Sequence, residues 1–204
     1  AFPRRWATTQ NNLANTYCEL LRGNRAENLE YAVTCYQRAL QVRTREALPL
    51  QWATTQRNLG RVFIDRIKGE GVENVEMAIA CFQDALQVYT RIKFPEAWAS
   101  IQTYLGRIYS LRVKGEKAEN IEMAIACYQN ALQVYTMPRT PNRWAMLQVY
   151  LGRAFSELTE AENSSHLENA IGCYQSAAQV YTRETYPHRW AQSLFYLGQA
   201  YRYR

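Results

Sequence analysis

The tryptophans of this chain recur at one fixed spacing, which constrains the fold more than any other feature of the sequence. All five stand 46 residues apart, at Trp6, Trp52, Trp98, Trp144 and Trp190. Five of the six prolines keep the same step, at Pro3, Pro49, Pro95, Pro141 and Pro187. A step without insertion or deletion is typical of structural repeats stacked in one direction. We therefore predict one repeat domain over residues 1–204. Its repeats are expected at 3–48, 49–94, 95–140 and 141–186, with a partial repeat at 187–204.

Each repeat has the apolar spacing of two helices. In the second repeat, Trp52, Leu59 and Phe63 follow one helical face, and a second stripe follows around Phe82. A proline in the first turn of a helix presets the backbone and removes no hydrogen bond, so the proline column predicts helix starts. No segment has the alternation that is typical of a strand. The sequence therefore predicts an all-α fold of helix–turn–helix repeats, and we expect Trp98 to be largely buried between repeats.

The turn between the two helices carries glycine and asparagine at fixed positions. In the stretch KGEGVEN, Gly69 can adopt the left-handed conformation that ends a helix, and Asn74 can cap the helix that follows. The same pairing recurs in two other repeats, as Gly23 with Asn28 and Gly115 with Asn120. The fourth repeat has no glycine here, and Ser165 with Glu168 has the spacing of a capping box instead.

The repeated motif resembles the signature of the tetratricopeptide repeat. Leu59-Gly60-x-x-Phe63 is followed by Ala-x-x-x-Phe-x-x-Ala at 78–85, which is similar to that family's order of Leu-Gly, aromatic, Ala, aromatic and Ala. The family's usual period is 34 residues, against 46 here, and the added residues divide equally between the two turns. The tryptophan also stands one helical turn earlier than in the family.

The resemblance implies a right-handed α-α superhelix, a solenoid in which the first helix of each repeat lines a concave groove. It also implies a non-enzymatic scaffold or sensor module that binds a peptide or protein segment in that groove as part of a larger protein. The sequence of the repeats also resembles that of long arrays in bacterial proteins, many of which carry a CHAT caspase-like peptidase domain in another part of the chain. The chain lacks an initiator Met and begins in phase with later repeats, so we expect a section of a longer array.

The cysteines do not have the spacing of a metal or redox site. Four of them keep the step of the repeats, at Cys35, Cys81, Cys127 and Cys173. Equivalent residues of stacked repeats lie about 10 Å apart, whereas a disulfide needs Cα atoms about 4.4 to 6.8 Å apart. Because there is also no Cys-x-x-Cys motif, we interpret this column as buried small residues, and only Cys18 as a thiol to watch for reactivity. We expect no catalytic residues, no metal and no cofactor, and hence no enzyme.

An arginine column is the strongest candidate for a binding surface. Arg61, Arg107 and Arg153 occupy one position of three consecutive repeats, and long polar amides occupy it in the first and last, at Asn15 and Gln199. Arg61 stands two residues beyond Leu59, about 200° around the helix, and should point away from the core. Of the 24 basic residues 20 are arginine, whose planar fork of donors suits bidentate contacts to carboxylates.

The resemblance also places Thr54 and Arg57 in the groove. The column that contains Arg57 varies between repeats, as a surface for a particular partner would: Asn11, Arg57, Thr103, Val149 and Phe195. We therefore hypothesise that the groove binds an acidic peptide or protein segment through the arginine column. The alternative is that these arginines form an ordinary solvated face.

The tyrosine columns leave open the binding of single-stranded nucleic acid. Tyr104, Tyr150 and Tyr196 recur at the step of the repeats, and aromatic side chains on a basic surface can stack with unpaired bases. The net charge is +6, but 18 acidic residues are distributed over the four complete repeats. Packing accounts for the tyrosines better, so we do not expect nucleic acid to be the main partner.

A further hypothesis is homotypic assembly by stacking of repeat ends. The last helix carries Leu194, Phe195 and Tyr201 with no later helix to cover them. The chain has no run of about 18 apolar residues, and no charged start followed by an apolar segment. We therefore expect neither membrane insertion nor a signal peptide, and we expect a cytoplasmic protein.

Overall fold

The computed structural model describes residues 2–20, 23–66, 71–158 and 164–203. Over these residues the chain forms nine helices and no strand. The helices are α1 Phe2–Glu19, α2 Arg25–Leu40, α3 Pro49–Arg66, α4 Val72–Leu86, α5 Pro95–Tyr109, α6 Lys117–Leu132, α7 Pro141–Leu158, α8 Ser164–Ala178 and α9 Pro187–Arg202. The predicted all-α class is confirmed.

The chain forms two compact units, Ala1–Phe94 and Pro95–Arg204. In the first unit each helix packs on the next, from α1 to α4, and α1 also contacts α3. The second unit has the same order from α5 to α9, and α7 also contacts α9. Sequential packing of paired helices is the arrangement of a helical repeat. The right-handed superhelix and the single domain over residues 1–204 stay predictions.

Proline is the first residue of four helices. Helices α3, α5, α7 and α9 begin at Pro49, Pro95, Pro141 and Pro187. At the start of a helix the missing N–H has no helical acceptor, and the ring holds φ near the helical value. The predicted helix starts are confirmed.

Glycine supplies a left-handed residue in the turn inside two of the repeats. Gly23 has a φ of +86° and Gly115 a φ of +85°, a region that residues with a Cβ enter only with strain. The predicted left-handed conformation is confirmed at both positions. Gly69 lies outside the described residues.

The asparagines after these glycines do not cap the following helices, so that prediction is wrong. Helix α2 is capped by Asn24, whose Oδ1 accepts a 3.0 Å hydrogen bond from the Ala26 N–H. Asn28 lies inside α2 and is buried. A cap residue must precede the first helical turn, and Asn28 stands four residues after the cap position at Asn24.

Asn120 shows what the buried asparagine does instead. It lies inside α6, and its Nδ2 donates a 2.9 Å hydrogen bond to the carbonyl oxygen of Lys114, in the turn that precedes the helix. The side chain therefore ties the turn to the helix. Asn74 is likewise buried inside α4, and Ser165 is the second residue of α8 and not the residue before it.

The Leu-Gly pair of the first helix is a point of close approach to the second helix. Each glycine faces an aromatic ring, and a Cβ built on the glycine would lie well inside the ordinary carbon–carbon contact distance of about 3.5 to 4.0 Å. The pairs and these distances are Gly60 with Phe82 at 3.1 Å, Gly106 with Tyr128 at 2.5 Å, and Gly152 with Tyr174 at 2.8 Å. The absence of a side chain at this position therefore decides where the rings of Tyr128 and Tyr174 lie.

The tryptophans are less enclosed than the repeat pattern suggested. Trp98 is half-buried on α5, and Trp6 on α1 is exposed. Trp190, from the fifth repeat, packs against a core cluster of the fourth that contains Ala145 and Tyr181. Packing between repeats is therefore confirmed for Trp190, whereas full burial is not reached at Trp98.

Candidate functional site

The second unit brings two of the predicted arginines to one cavity. Arg107 on α5 and Arg153 on α7 are both exposed, and both line a cavity of about 230 Å³ together with Tyr128 and Tyr150. Arg61 is exposed on α3 of the first unit. The arginines at 107 and 153 are therefore the members of the column that can contact one ligand on the second unit.

A second, larger cavity continues from Arg153. Its volume is about 480 Å³, and Arg153, Glu157, Tyr196 and Gln199 are among the residues that line it. Arg153 and Glu157 line both cavities. We call the surface of the two cavities the tyrosine–arginine groove, defined by Arg107, Tyr128, Tyr150, Arg153, Tyr174, Tyr196 and Gln199.

The groove contains the same arrangement of tyrosines twice. The hydroxyl of Tyr128 lies 3.3 Å from Ser110 Oγ, and its ring centroid lies 5.6 Å from that of Tyr150. One repeat later, the hydroxyl of Tyr174 lies 3.3 Å from a serine Oγ, at Ser156, and its ring lies 5.6 Å from Tyr196. Ring pairs at this distance are favourable contacts, which hold the walls of the groove in place.

Arg153 is exposed, yet its guanidinium group is held against an aromatic ring. The guanidinium carbon lies 5.6 Å from the ring centroid of Tyr196, within the range of a cation–π contact. Such a contact orients the planar guanidinium group, while the N–H groups at its edge can still donate hydrogen bonds to an acceptor. Arg153 can therefore present donors to a carboxylate between Tyr150 and Tyr196.

The tyrosines do not neutralise these arginines at neutral pH. Burial raises the pKa of Tyr174 to about 12, and it raises the pKa of Tyr128 as well, while the nearby arginines oppose the shift more weakly. The phenols are therefore uncharged at neutral pH. Glu157 is the acidic residue that lines both cavities, against the two arginines.

The predicted groove residues of the first unit are engaged within that unit. Asn15 is half-buried, and its Oδ1 accepts a 2.6 Å hydrogen bond from the Tyr36 hydroxyl. The hydroxyl of Thr54 lies 2.6 Å from that of Tyr89, and the Arg57 guanidinium lies 5.7 Å from the Tyr89 ring centroid. These contacts show a packed polar surface in the first unit, on which Arg61 remains exposed.

The variable column is mostly core, so its interpretation as a binding surface is wrong. Asn11, Thr103 and Val149 are buried, and Arg57 is half-buried. The exception is Phe195 on α9, whose exposed fraction is 61%, against 7% for the equivalent Val149 on α7. The helical position therefore faces the core wherever a second helix packs over it.

The end of the second unit exposes the apolar residues predicted for association. Leu194, Phe195 and Tyr201 are all exposed on α9. The hydroxyl of Tyr201 accepts a 2.8 Å hydrogen bond from Gln175 Nε2, which holds that ring beside α8. The three side chains form an apolar surface on the last described helix.

The cysteines are free thiols. Cys35, Cys81 and Cys173 are buried, in agreement with the sequence interpretation, and Cys127 is half-buried. Cys18 is half-buried as well, and burial raises the pKa of its thiol, which disfavours the reactive thiolate. Within the described ranges, no group of three His, Cys, Asp or Glu side chains could hold a metal ion. Of the helices in those ranges, none has both the length and the apolar character needed to cross a bilayer.

Sequence reasoning missed a cluster around Arg143. Its Nη1 donates to Glu96 Oε2 at 2.8 Å and to the Tyr135 hydroxyl at 2.9 Å, and its guanidinium lies 4.8 Å from the Tyr135 ring centroid. Arg143 and Tyr135 also line a cavity that contains Arg107. The signal in the sequence is the Pro-x-Arg-Trp motif, which occurs at 3–6, 141–144 and 187–190.

Comparison with known proteins does not assign the chain to a family. No model of a known protein family matches it, and no curated protein is recognisably similar in sequence. The function must therefore be argued from the geometry of the groove.

Proposed function

We propose that this chain is a non-enzymatic interaction module of repeats similar to tetratricopeptide repeats, whose second unit binds an acidic peptide segment in the tyrosine–arginine groove. The observation that carries the proposal is that Arg107 and Arg153 are exposed, one repeat apart, on the same cavity. Guanidinium groups bind carboxylates with paired hydrogen bonds, and aromatic walls reduce competition from water.

The form of the groove favours an extended ligand. The cavities of about 230 and 480 Å³ share Arg153 and Glu157, so a ligand that fills both must pass along the first helices of three repeats, α5, α7 and α9. A peptide segment can do so with acidic side chains placed at Arg107 and Arg153. Gln199, which also lines the second cavity, offers an amide that can bond to the peptide backbone.

The test is selection of short peptides from a displayed random library, followed by fluorescence anisotropy with the best binder. We expect selected peptides to be rich in Asp and Glu. Arg107→Glu and Arg153→Glu should each weaken binding by about tenfold or more, since a charge-assisted hydrogen bond is replaced by repulsion. The control is Arg139→Glu, which changes the net charge equally at an exposed turn outside both cavities.

Two results would contradict the proposal. Selection of peptides without acidic residues would remove the carboxylate chemistry. An equal loss of affinity in Arg139→Glu and Arg153→Glu would show that binding follows net charge and not the groove. Circular dichroism melts of all three variants should match the parent protein, because the substituted side chains are exposed.

Single-stranded nucleic acid is the competing occupant of the same groove. It would require open ring faces, yet Tyr150 and Tyr196 each pair with a tyrosine of the preceding helix. Labelled oligonucleotides should therefore bind weakly at physiological salt. Saturable binding that falls with salt and depends on Tyr150 would replace the peptide proposal.

A second candidate function is association between copies of the chain through α9. It is favoured by the exposed Phe195, since the equivalent Val149 is buried where α8 packs over α7. Light scattering should show a mass that rises with concentration and falls in Phe195→Ser with Tyr201→Ser. Ile92→Ser, at a turn residue that is 90% exposed in the first unit, is the control. A constant monomer mass at high concentration would remove this candidate.

A further inference from the structure

Two equivalent arginines of the second unit have different acidic surroundings. Arg143, at the start of α7, is held by the Tyr135 ring and hydroxyl and donates to the carboxylate of Glu96 at 2.8 Å. Glu96 is the second residue of α5. The ion pair is exposed, so it contributes little stability, but it shows where a carboxylate sits when this arrangement is complete.

Arg189 repeats the arrangement one repeat later, without the carboxylate. Its Nη1 donates to the Tyr181 hydroxyl at 3.0 Å, and its guanidinium lies 5.3 Å from the Tyr181 ring centroid. The position equivalent to Glu96 is Asn142, whose Nδ2 donates to the Tyr186 hydroxyl at 2.6 Å. Over the described ranges, no Asp or Glu lies within ion-pair distance of Arg189, which is exposed.

The guanidinium of Arg189 is nevertheless held in place. Tyr186 approaches it at 5.9 Å, and this ring stands edge-on to Tyr181, with their centroids 5.5 Å apart. Two rings and one hydroxyl therefore fix the side chain before any ligand arrives, which lowers the entropy lost on binding. Asn142 is also the second residue of α7, where the helix dipole favours negative charge.

We propose that Arg189, Tyr181, Tyr186 and Asn142 form a binding site for an external carboxylate, supplied by an acidic side chain of a peptide. The incoming carboxylate takes the place that Glu96 has at Arg143 and accepts N–H bonds from Arg189. Its residues are distinct from those of the tyrosine–arginine groove. The proposal therefore does not rest on the peptide function argued above.

The experiment is an NMR titration that observes the arginine Nε–Hε signals individually. The probe is a capped pentaglutamate peptide, with capped pentaglutamine as the uncharged control. We expect the Arg189 signal to move with pentaglutamate and not with pentaglutamine. The Arg143 signal should stay in place, because Glu96 already occupies the equivalent position.

Two reciprocal variants make the test specific. Asn142→Glu should supply an internal carboxylate and weaken the Arg189 response about tenfold or more. Glu96→Asn should open the equivalent position and transfer a response to Arg143. Both substitutions lie on exposed residues, and unchanged melting temperatures would confirm that the fold is retained.

Three outcomes would overturn the proposal. They are an Arg189 signal that does not move, an equal movement of all exposed arginines, and an Asn142→Glu variant that responds like the parent chain. Movement of Arg107 and Arg153 without Arg189 would support the groove alone. Movement of Arg189 alone would support this site and count against the groove.

Discussion

One position of the repeat carries arginine in the first repeat and tyrosine in the three that follow, at Tyr89, Tyr135 and Tyr181. In the first unit, Arg43 stands three residues after α2 and is only 6% exposed, with Nη1 donating to Thr55 Oγ1 at 3.0 Å and Nη2 to Thr8 Oγ1 at 3.3 Å. In the second unit the equivalent residue is Tyr135, also buried, whose hydroxyl donates to the Glu96 carbonyl oxygen at 3.1 Å. Both are long side chains with a polar end that reaches a neighbouring helix.

The residues around Arg43 are polar, whereas an apolar residue stands at the equivalent place near Tyr135. Thr55 is buried and lies 3.1 Å from Asn11 Oδ1, so Arg43 belongs to an interior polar network. In the second unit the position of Thr55 is taken by Leu147, which is buried as well. Burial lowers the pKa of Arg43, but arginine keeps its charge, and hydrogen bonds must offset the cost of desolvation. At this position the repeat therefore requires a long side chain. The polarity of the residues around it decides whether that side chain is arginine or tyrosine.

This contrast also bears on function. The first unit uses Arg43 and Asn15 for contacts inside the unit. In the second unit, Arg153 and Arg189 are held by rings yet remain exposed. Cations that are oriented but not neutralised are the ones available to a ligand, which is why both proposed binding sites fall in the second unit.

The largest expected effect on folding stability comes from substituting Arg43. Arg43→Ala should lower the free energy of unfolding by about 3 kcal/mol, because it leaves a cavity and removes the N–H group that donates to the buried Thr55 hydroxyl. Tyr135→Phe, at the equivalent position of the second unit, removes only a hydroxyl and should lower the free energy of unfolding by about 1 kcal/mol. Urea unfolding followed by circular dichroism measures both. Equal losses would contradict the contrast between a polar and an apolar interior.

A smaller effect is expected where glycine faces an aromatic ring. Gly106→Ala should lower the free energy of unfolding by about 2 kcal/mol, because the new Cβ would lie 2.5 Å from the Tyr128 ring and force the ring to shift. Gly60→Ala in the first unit should cost less, since its Cβ would lie 3.1 Å from Phe82. The control is Gly198→Ala, which meets open space and should be neutral or stabilising by up to about 1 kcal/mol. The same unfolding measurement gives all three, and a stabilising Gly106→Ala would show that the ring moves freely.

The smallest expected effect is the loss of folding stability at alkaline pH. Burial raises the pKa of Tyr174 from an ordinary value of 10.0 to about 12, so between these values the unfolded chain loses the proton while the folded chain keeps it. Stability should therefore fall as the pH rises from about 10 to about 12, and near pH 11 this residue should account for about 1 kcal/mol of the loss. The equivalent residue of the second repeat is Phe82, which does not titrate, whereas burial also raises the pKa of the equivalent Tyr36 and Tyr128.

Tyr174→Phe isolates this contribution. The variant should lose less stability than the parent chain between neutral pH and about pH 11, in paired urea unfolding curves at the two pH values. Parallel losses in the two proteins would contradict the assignment to Tyr174.

Features that depend on neighbouring residues could be predicted from the sequence. The helix starts at Pro49 and Pro95 and the left-handed Gly115 follow from backbone preferences that act within one turn. The same local reasoning failed for Asn120, because nothing in a cap signal shows that the side chain is buried and turns back to Lys114. The expectation that the column containing Arg57 faces a partner also failed, since Thr103 in that column is buried.

The candidate sites were predicted in part. The column of Arg107 and Arg153 was found from spacing alone, because one position of a repeat returns to one side of the stack. The site at Arg189 was missed, since its character depends on whether the residue 47 positions earlier is Glu, as at Arg143, or Asn.

The sequence by itself determined the helical class, the register of the repeats and the residues at which the helices begin. Only the tertiary structure decided that Arg43 is buried among hydroxyls, that Arg153 lies on a ring, and that Arg189 lacks the carboxylate of Arg143. The physical reason is distance along the chain. Backbone preferences act over a few residues, whereas these partners are brought together only when the helices pack.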